Sequence, residues 1–391
     1  MRGLIMAGVM TALFAGPTAA TQPGKIMAFT ARSMPRLPQP GIIALGEASH
    51  GNEAMLRERN RFIMELAAAG RISWVALETG FAEARLLDRF VKGAPGDAAD
   101  VAKRGFTSGF GAFAGNVALL TMLRKFNATH PSGERIGIAG VDLSLGGPLA
   151  SAPTMAPVEC ALEGVVDRAH REELRTAFTA AVRPGLQAPS VSDAQKMAFH
   201  ALSDRLAAAI DRTASPDARQ CAAIVGQSAI VLDALPEKSG GGGIPPDAWI
   251  SVSRRDAGMA ANAAAILARS HGKSILLFAH TSHVLNAPMQ GGRWSTQAQP
   301  PESMGQHLAA QLGKRYQVIA QIESASRGDR STPDLASALA IDCAATCLVP
   351  SARLGKLGTM RVRIGINHDD DQLVVPMSAA SFFLLLANGK D

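Results

Sequence analysis

The chain predicts an α/β fold, a mainly parallel β-sheet flanked by helices, with a helical insertion or cap over the carboxyl ends of the strands. Two observations predict it. Short runs rich in Ile, Val and Leu alternate with helix-like stretches, the pattern of right-handed βαβ units. Four of these runs also stop at an acid or a histidine: IIALGEASH at Glu47 and His50, WVALETG at Glu78, IGIAGVDL at Asp142, and ILLFAHTSH at His280 and His283. Parallel sheets gather their chemistry at the strands' carboxyl ends, so residues distant in sequence are expected to meet in one crevice.

In chain order, the first twenty residues read as an export signal. Arg2 precedes an apolar stretch from Leu4 to Ala15, and small residues up to Ala20 suit cleavage there. The stretch falls short of the roughly 18 apolar residues needed to span a bilayer, so no stable membrane span is expected after cleavage. Strands are expected near residues 41–46, 73–78, 135–141, 274–279, 316–322 and 360–366. Residues 158–181, 193–213 and 217–234 have helical periodicity and no strand candidate. The expected organisation is therefore a signal at 1–20, a core from 21–150 and 245–391, and a helical insertion at 151–244. Gly240 to Gly243 form a flexible hinge or an ordinary surface loop.

Composition excludes several classes. Hydrophobic content of 47% with 18% charge supports a folded core. The net charge of +6 comes from Lys and Arg that are scattered apart from the close set Arg57, Arg59 and Arg61, with one Tyr and three Trp, which argues against nucleic acid as a partner. Four cysteines in an exported chain, placed in the periplasm or outside the cell, suggest Cys160 with Cys221 and Cys343 with Cys347. Three connectivities remain possible, as do buried free thiols.

The strand ends carry the chemistry. Glu47 and His50, three apart after a strand, suit a carboxylate that holds an imidazole while the other ring nitrogen acts as a base. Met55, Arg59, Phe62, Ile63 and Leu66 form one helical stripe with a guanidinium in its middle. A buried Arg59 should pair with a carboxylate, Glu47 or Glu78, unless it snorkels to the edge of the stripe. Glu78 is a poor helix cap and reads as a site residue, whereas Asp142 fits either a site or a turn. His280 and His283 suit paired acid and base work or metal ligation. No G-x-S-x-G elbow, Walker loop, H-E-x-x-H or dinucleotide glycine fingerprint occurs, and Ser49 sits badly for a triad beside His50, so water is the expected nucleophile.

GEASHG at 46–51, Arg59, ETGFAE at 78–83, the VDL after the third strand, RRDAGMAAN at 254–262, FAHTSHV at 278–284 and SMGQHLAAQLG at 303–313 together resemble the erythromycin esterase family. The resemblance spans about residues 40 to 320. It implies an α/β fold with a helical region over the site, and hydrolysis of a small-molecule ester by water, as in opening a macrolide lactone. It places the general base on His50, the site glutamates on Glu47 and Glu78, the arginine on Arg59 and the second histidine pair on His280 and His283; Asp142, from the strand-end pattern, is a candidate for a supporting role. No cofactor is expected. Two rivals use the same crevice: a hydrolase whose Glu and His residues hold a divalent metal, and a ligand-binding relative without catalysis.

Overall fold

A computed structural model of the chain describes residues 25–143, 155–185, 192–235, 246–321, 346–355, 358–363 and 372–386. The expected signal, the Gly240–Gly243 segment and Cys343 lie outside the described residues, as do both joints of the helical insertion. No described helix is long and apolar enough to cross a membrane.

After a short strand β1 (Met27–Ala28), the chain enters β2 (Ile42–Glu47), buried at every residue, and α1 (Glu53–Ala68). Asn52 starts α1 by accepting a hydrogen bond from the Met55 amide, satisfying one of the free N–H groups of the first turn. Strand β3 (Ile72–Gly80) leads directly into α2 (Phe81–Val91), with α3 (Ala98–Gly105) and α4 (Ala114–Ala128) following before β4 (Gly137–Asp142). Alternate residues of β2 separate two cores. Ile43 and Leu45 pack with Met55, Phe62 and Ile63 of α1 and Leu119 and Leu120 of α4, while Ile42 and Ala44 face the opposite layer.

That opposite layer holds α5 (Ala156–Leu162), α6 (Arg168–Gly185), α7 (Asp193–Ala209), α8 (Pro216–Asp233) and α9 (Ala248–Ala268). Helix α9 lies against β3, β4 and β5, and α8 lies against α9, so most of the insertion stacks outside α9. The chain then forms β5 (Ser274–His280), a single-turn α10 (Thr281–Val284), α11 (Met304–Leu312) and β6 (Tyr316–Gln321). The remaining strands are β7 (Cys347–Pro350), β8 (Thr359–Arg363), β9 (Gln372–Pro376) and β10 (Phe382–Leu385).

The main sheet has eight strands in the order β1-β7-β10-β6-β2-β5-β3-β4. From β10 to β4 all neighbours are parallel, and β7 and β1 close one edge antiparallel. The run expected near 360–366 does not join it. Its described part, β8, pairs antiparallel with β9 in a separate two-stranded sheet. Met-Arg-Val-Arg alternates apolar and basic residues, unlike the near-continuous apolar runs of central parallel strands.

Cys160 on α5 and Cys221 on α8 form a disulfide across 61 residues. Cys347 is also disulfide-bonded. A loop of that length adds about 4 kcal/mol by restricting the unfolded chain. A Cys160→Ser, Cys221→Ser double variant is therefore expected to unfold at clearly lower denaturant concentration, and an unchanged midpoint would show that α5 and α8 hold together without the bond.

Candidate active site

The sheet register builds the site. Glu47 on β2 pairs opposite His280 on the neighbouring β5, so both end at the same level. On the other side of β5, strand β3 loses its regular register with β4 between Leu77 and Gly80. Such an irregularity re-aims a side chain. Here Glu78 accepts the His280 backbone N–H at 2.7 Å. Gly46 allows the single turn of α10 to cross β2, since a Cβ there would stand 2.8 Å from the Thr281 Cα. Gly51 has φ +77° and lies against Phe113, which closes the loop carrying His50 onto an aromatic wall.

Within this frame Glu47 Oε1 accepts the His50 Nδ1 hydrogen at 2.7 Å. With Nδ1 donating, Nε2 of the neutral ring carries the lone pair. The ring lies between Phe110, centroids 4.7 Å apart, and His280, 5.0 Å apart. Burial works against charge on His50, but the Glu47 hydrogen bond and the fields of Glu78 and Glu47 outweigh it, so its pKa is raised above 6.5. His280 is the opposite case. Its Nε2 donates to the Ala48 carbonyl at 3.1 Å and its Nδ1 accepts from the Ser282 hydroxyl at 2.7 Å. Burial, with help from His50, pushes it down to about 3, and it is neutral at ordinary pH.

A second group of charges stands behind them. Arg255, on α9, forms a two-pronged pair with Asp142: Nε to Oδ1 at 2.9 Å and a terminal nitrogen to Oδ2 at 2.6 Å. The same guanidinium reaches Glu78 at 3.5 Å. His283 lies between two carboxylates, its Nδ1 2.8 Å from Asp256 and its Nε2 3.4 Å from Glu78. Burial opposes charge on His283, yet Asp256 and Glu78 raise its pKa, while Asp256 also accepts the Met304 amide at 2.8 Å. Burial alone would raise Glu78, but the fields of His283, His50 and Arg255 and the His280 amide pull it down to about 2. It is a firm anion.

Arg59 corrects one expectation. It is buried, at 1% exposure, but makes no ion pair with Glu47 or Glu78 among the described residues. It donates instead to the Asn60 side-chain oxygen and the Gly115 carbonyl and stacks on Phe278 at 4.6 Å. Neutral acceptors and a ring face satisfy the guanidinium, and burial lowers its pKa only to about 10. It still belongs to the crevice, because Glu47, Arg59, Glu78, Phe110, Asn116 and Phe278 line one cavity of about 20 Å³, room for about one water molecule. Two buried acceptors, Glu47 Oε2 and Asn116 Oδ1, have no hydrogen-bond partner among the described residues.

All seven residues singled out from the sequence thus lie at or beside one crevice at the strand ends. Asp142 pairs with Arg255 and accepts the Leu143 amide at 2.8 Å. Arg255 and Asp256 were not among the predicted site residues. Their signal was present as adjacent charges inside an otherwise Ala-rich apolar helix. As for a metal, the described residues contain no group of three or more His, Cys, Asp or Glu side chains placed to hold one. The Arg255 guanidinium lies between Glu78 and Asp142, so these two acids do not share a cation with each other.

Comparisons with known proteins bear on the family and the fold. The family profile described as erythromycin esterase matches residues 72–326, more than half of the chain. No curated protein matches in sequence. Among solved structures, a Bacillus cereus protein is similar with a TM-score of 0.70 and 17% identity, over 89% of this chain and 88% of that one. A succinoglycan biosynthesis protein gives 0.68 and 15%, over 88% and 87%. A mutant of the erythromycin esterase EreC in its open conformation gives 0.59 and 17%, over 90% and 92%.

Proposed function

The chain belongs to the erythromycin esterase family, and from that premise we propose that it hydrolyses a carboxylic ester or lactone with water activated by His50. The observation that carries this reading is the 2.7 Å Glu47–His50 hydrogen bond, which leaves the second ring nitrogen without a partner among the described residues, while Glu47 and Phe110, both in contact with His50, line a cavity of one-water size. His50 Nε2 takes a proton from water as the oxygen attacks the acyl carbon, and the imidazolium returns that proton to the departing alkoxide. Glu47 fixes the ring and stabilises its charged form. Arg255 supplies positive charge for the oxyanion, and His283, between Asp256 and Glu78, helps to position Glu78. His280, with both ring nitrogens engaged, acts by fixing the Ala48 carbonyl and so the loop that carries His50. Arg59 and Asp142 act as supports, one beside Glu47 and the other holding Arg255.

The test is incubation of the purified protein with a panel of macrolides and simple esters, followed by mass spectrometry for a gain of one water. Hydrolysis of at least one member, absent in a His50→Asn variant, is expected. A silent panel, or equal turnover by the variant, overturns the reading.

The pH profile offers a separate check. His50 works only when neutral, so kcat/KM should fall as pH drops through its raised pKa, with the acidic limb centred above 6.5. Glu47→Gln removes the principal raising influence and should shift that limb to lower pH while lowering the plateau. A limb that does not move in this variant would separate Glu47 from the base.

Location belongs to the same proposal. The Cys160–Cys221 disulfide favours an oxidising compartment and supports an exported, periplasmic or secreted enzyme. Cell fractionation of the full-length chain tests it, and recovery in the cytosolic fraction alone would count against export.

A further inference from the structure

At the opposite end of the sheet, the amino ends of β3, β4 and β5 border a cleft of about 370 Å³ whose walls include Trp74, Lys92, Ser132, Arg135, His271 and Lys273. Among the described residues no Asp or Glu lines it. Strand β5 runs seven residues from Ser274 to His280, so roughly 20 Å separates this cleft from the crevice at the strand ends.

We propose that this cleft is a binding site for a phosphate-bearing small molecule, independent of the hydrolytic crevice. Its cations are held ready by the fold. The Arg135 Nε donates to the His130 carbonyl at 3.2 Å, which orients the guanidinium, and its terminal nitrogens have no partner among the described residues. Lys273 is likewise not ion-paired among the described residues. Lys92 is fixed between Asp88, 2.8 Å away, and the Trp74 ring, 4.6 Å from its centroid. Arg269 reaches the same ring at 5.2 Å, its own charge paired with Asp217 at 2.8 Å. The rim is shaped by a tight turn in which the buried Ser270 hydroxyl donates to the Lys273 carbonyl at 2.6 Å and the Ser73 hydroxyl donates to the Ser270 carbonyl at 3.1 Å. His271 adopts a left-handed φ of +51° in that turn, a conformation that costs energy for a residue with a Cβ.

Chemistry selects the ligand class. Like charges gathered in a concave surface repel one another, and an anion in their midst reverses that cost. Arg135 offers a planar fork and the two lysines offer mobile point charges, a combination suited to the several oxygens of a phosphate group. The cleft is in the size range of small-molecule sites and larger than one phosphate needs, and Trp74 gives an organic portion an apolar wall.

Calorimetric titration of the full-length protein with pyrophosphate and with a hexose monophosphate, at constant ionic strength, tests the assignment. Saturable binding of both is expected, with the unphosphorylated hexose silent. Arg135→Ala and Lys273→Ala should each weaken binding by about tenfold or more, as loss of a charge-assisted hydrogen bond implies. Neither residue is part of the hydrolytic crevice, so ester hydrolysis by these variants should be unchanged, and a failure of the hydrolase reading leaves this test intact. Absence of saturable binding, or equal affinity in wild type and both variants, overturns the proposal.

Discussion

Replacing His50 by Asn is expected to lower kcat/KM by ~10²–10⁴-fold, equivalent to about 3–5 kcal/mol of transition-state stabilisation. The magnitude follows from general base catalysis. Without the imidazole the acceptors left near the cavity are carboxylates, ordinarily weaker bases than an imidazole, and Glu78 is a firm anion tied to His280, Arg255 and His283. Asn is the informative replacement. Its amide nitrogen can stand near the place of Nδ1 and donate to Glu47, so the carboxylate keeps a partner and the fold should keep its stability. Steady-state kinetics with a thermal melt separate the two effects. A large fall in rate with an unchanged Tm supports the base, whereas a rate near that of the wild type removes His50 from the mechanism.

Much of this site was legible because a parallel sheet converts sequence into position. Once the runs before Glu47, Glu78, Asp142 and His280 are read as neighbouring strands, their carboxyl ends must share one edge, and the observed pairing of Glu47 with His280 realises that. What escaped lay elsewhere. Strands β7 and β10 were not anticipated, and neither has an acid or histidine at its carboxyl end to mark it. The run at 360–366 carried strand propensity but not the continuous apolar character of a central strand. Arg59 was correctly placed on a buried stripe, yet its partners proved to be the adjacent Asn60 and the distant Gly115 and Phe278. Periodicity reports which face is buried and says nothing of what lies against it. Arg255 and Asp256 sit on a helix, outside the strand-end pattern, and only the packing of α9 beside β3, β4 and β5 brings them to the crevice.

That packing makes Arg255 the second residue whose loss should be severe. Arg255→Leu is expected to destabilise the fold by an amount towards the lower end of the ~3–5 kcal/mol that loss of one partner from a buried ion pair costs, because Arg255 and Asp142 are only partly buried. Asp142 would lose both hydrogen bonds from the guanidinium, and Glu78 would keep only His283, His50 and the His280 amide to stabilise its charge. Arg255→Lys should recover only part of the loss, since an ammonium cannot make the two-pronged contact that Asp142 accepts. Acid sensitivity gives a readout that simple loss of packing would not move. Glu78 is held below its ordinary 4.5, at about 2, so its contribution to stability is fully present above pH 4.5 and is lost as pH falls towards 2. With Arg255 gone, the folded-state pKa moves back towards 4.5 and that contribution shrinks, so the variant's deficit should be largest near neutral pH and narrow in acid. Denaturant midpoints for both proteins across that range measure the difference. A deficit constant with pH would mean that Arg255 acts by filling space beside Asp142, and the charge network around Glu78 would then hold without it.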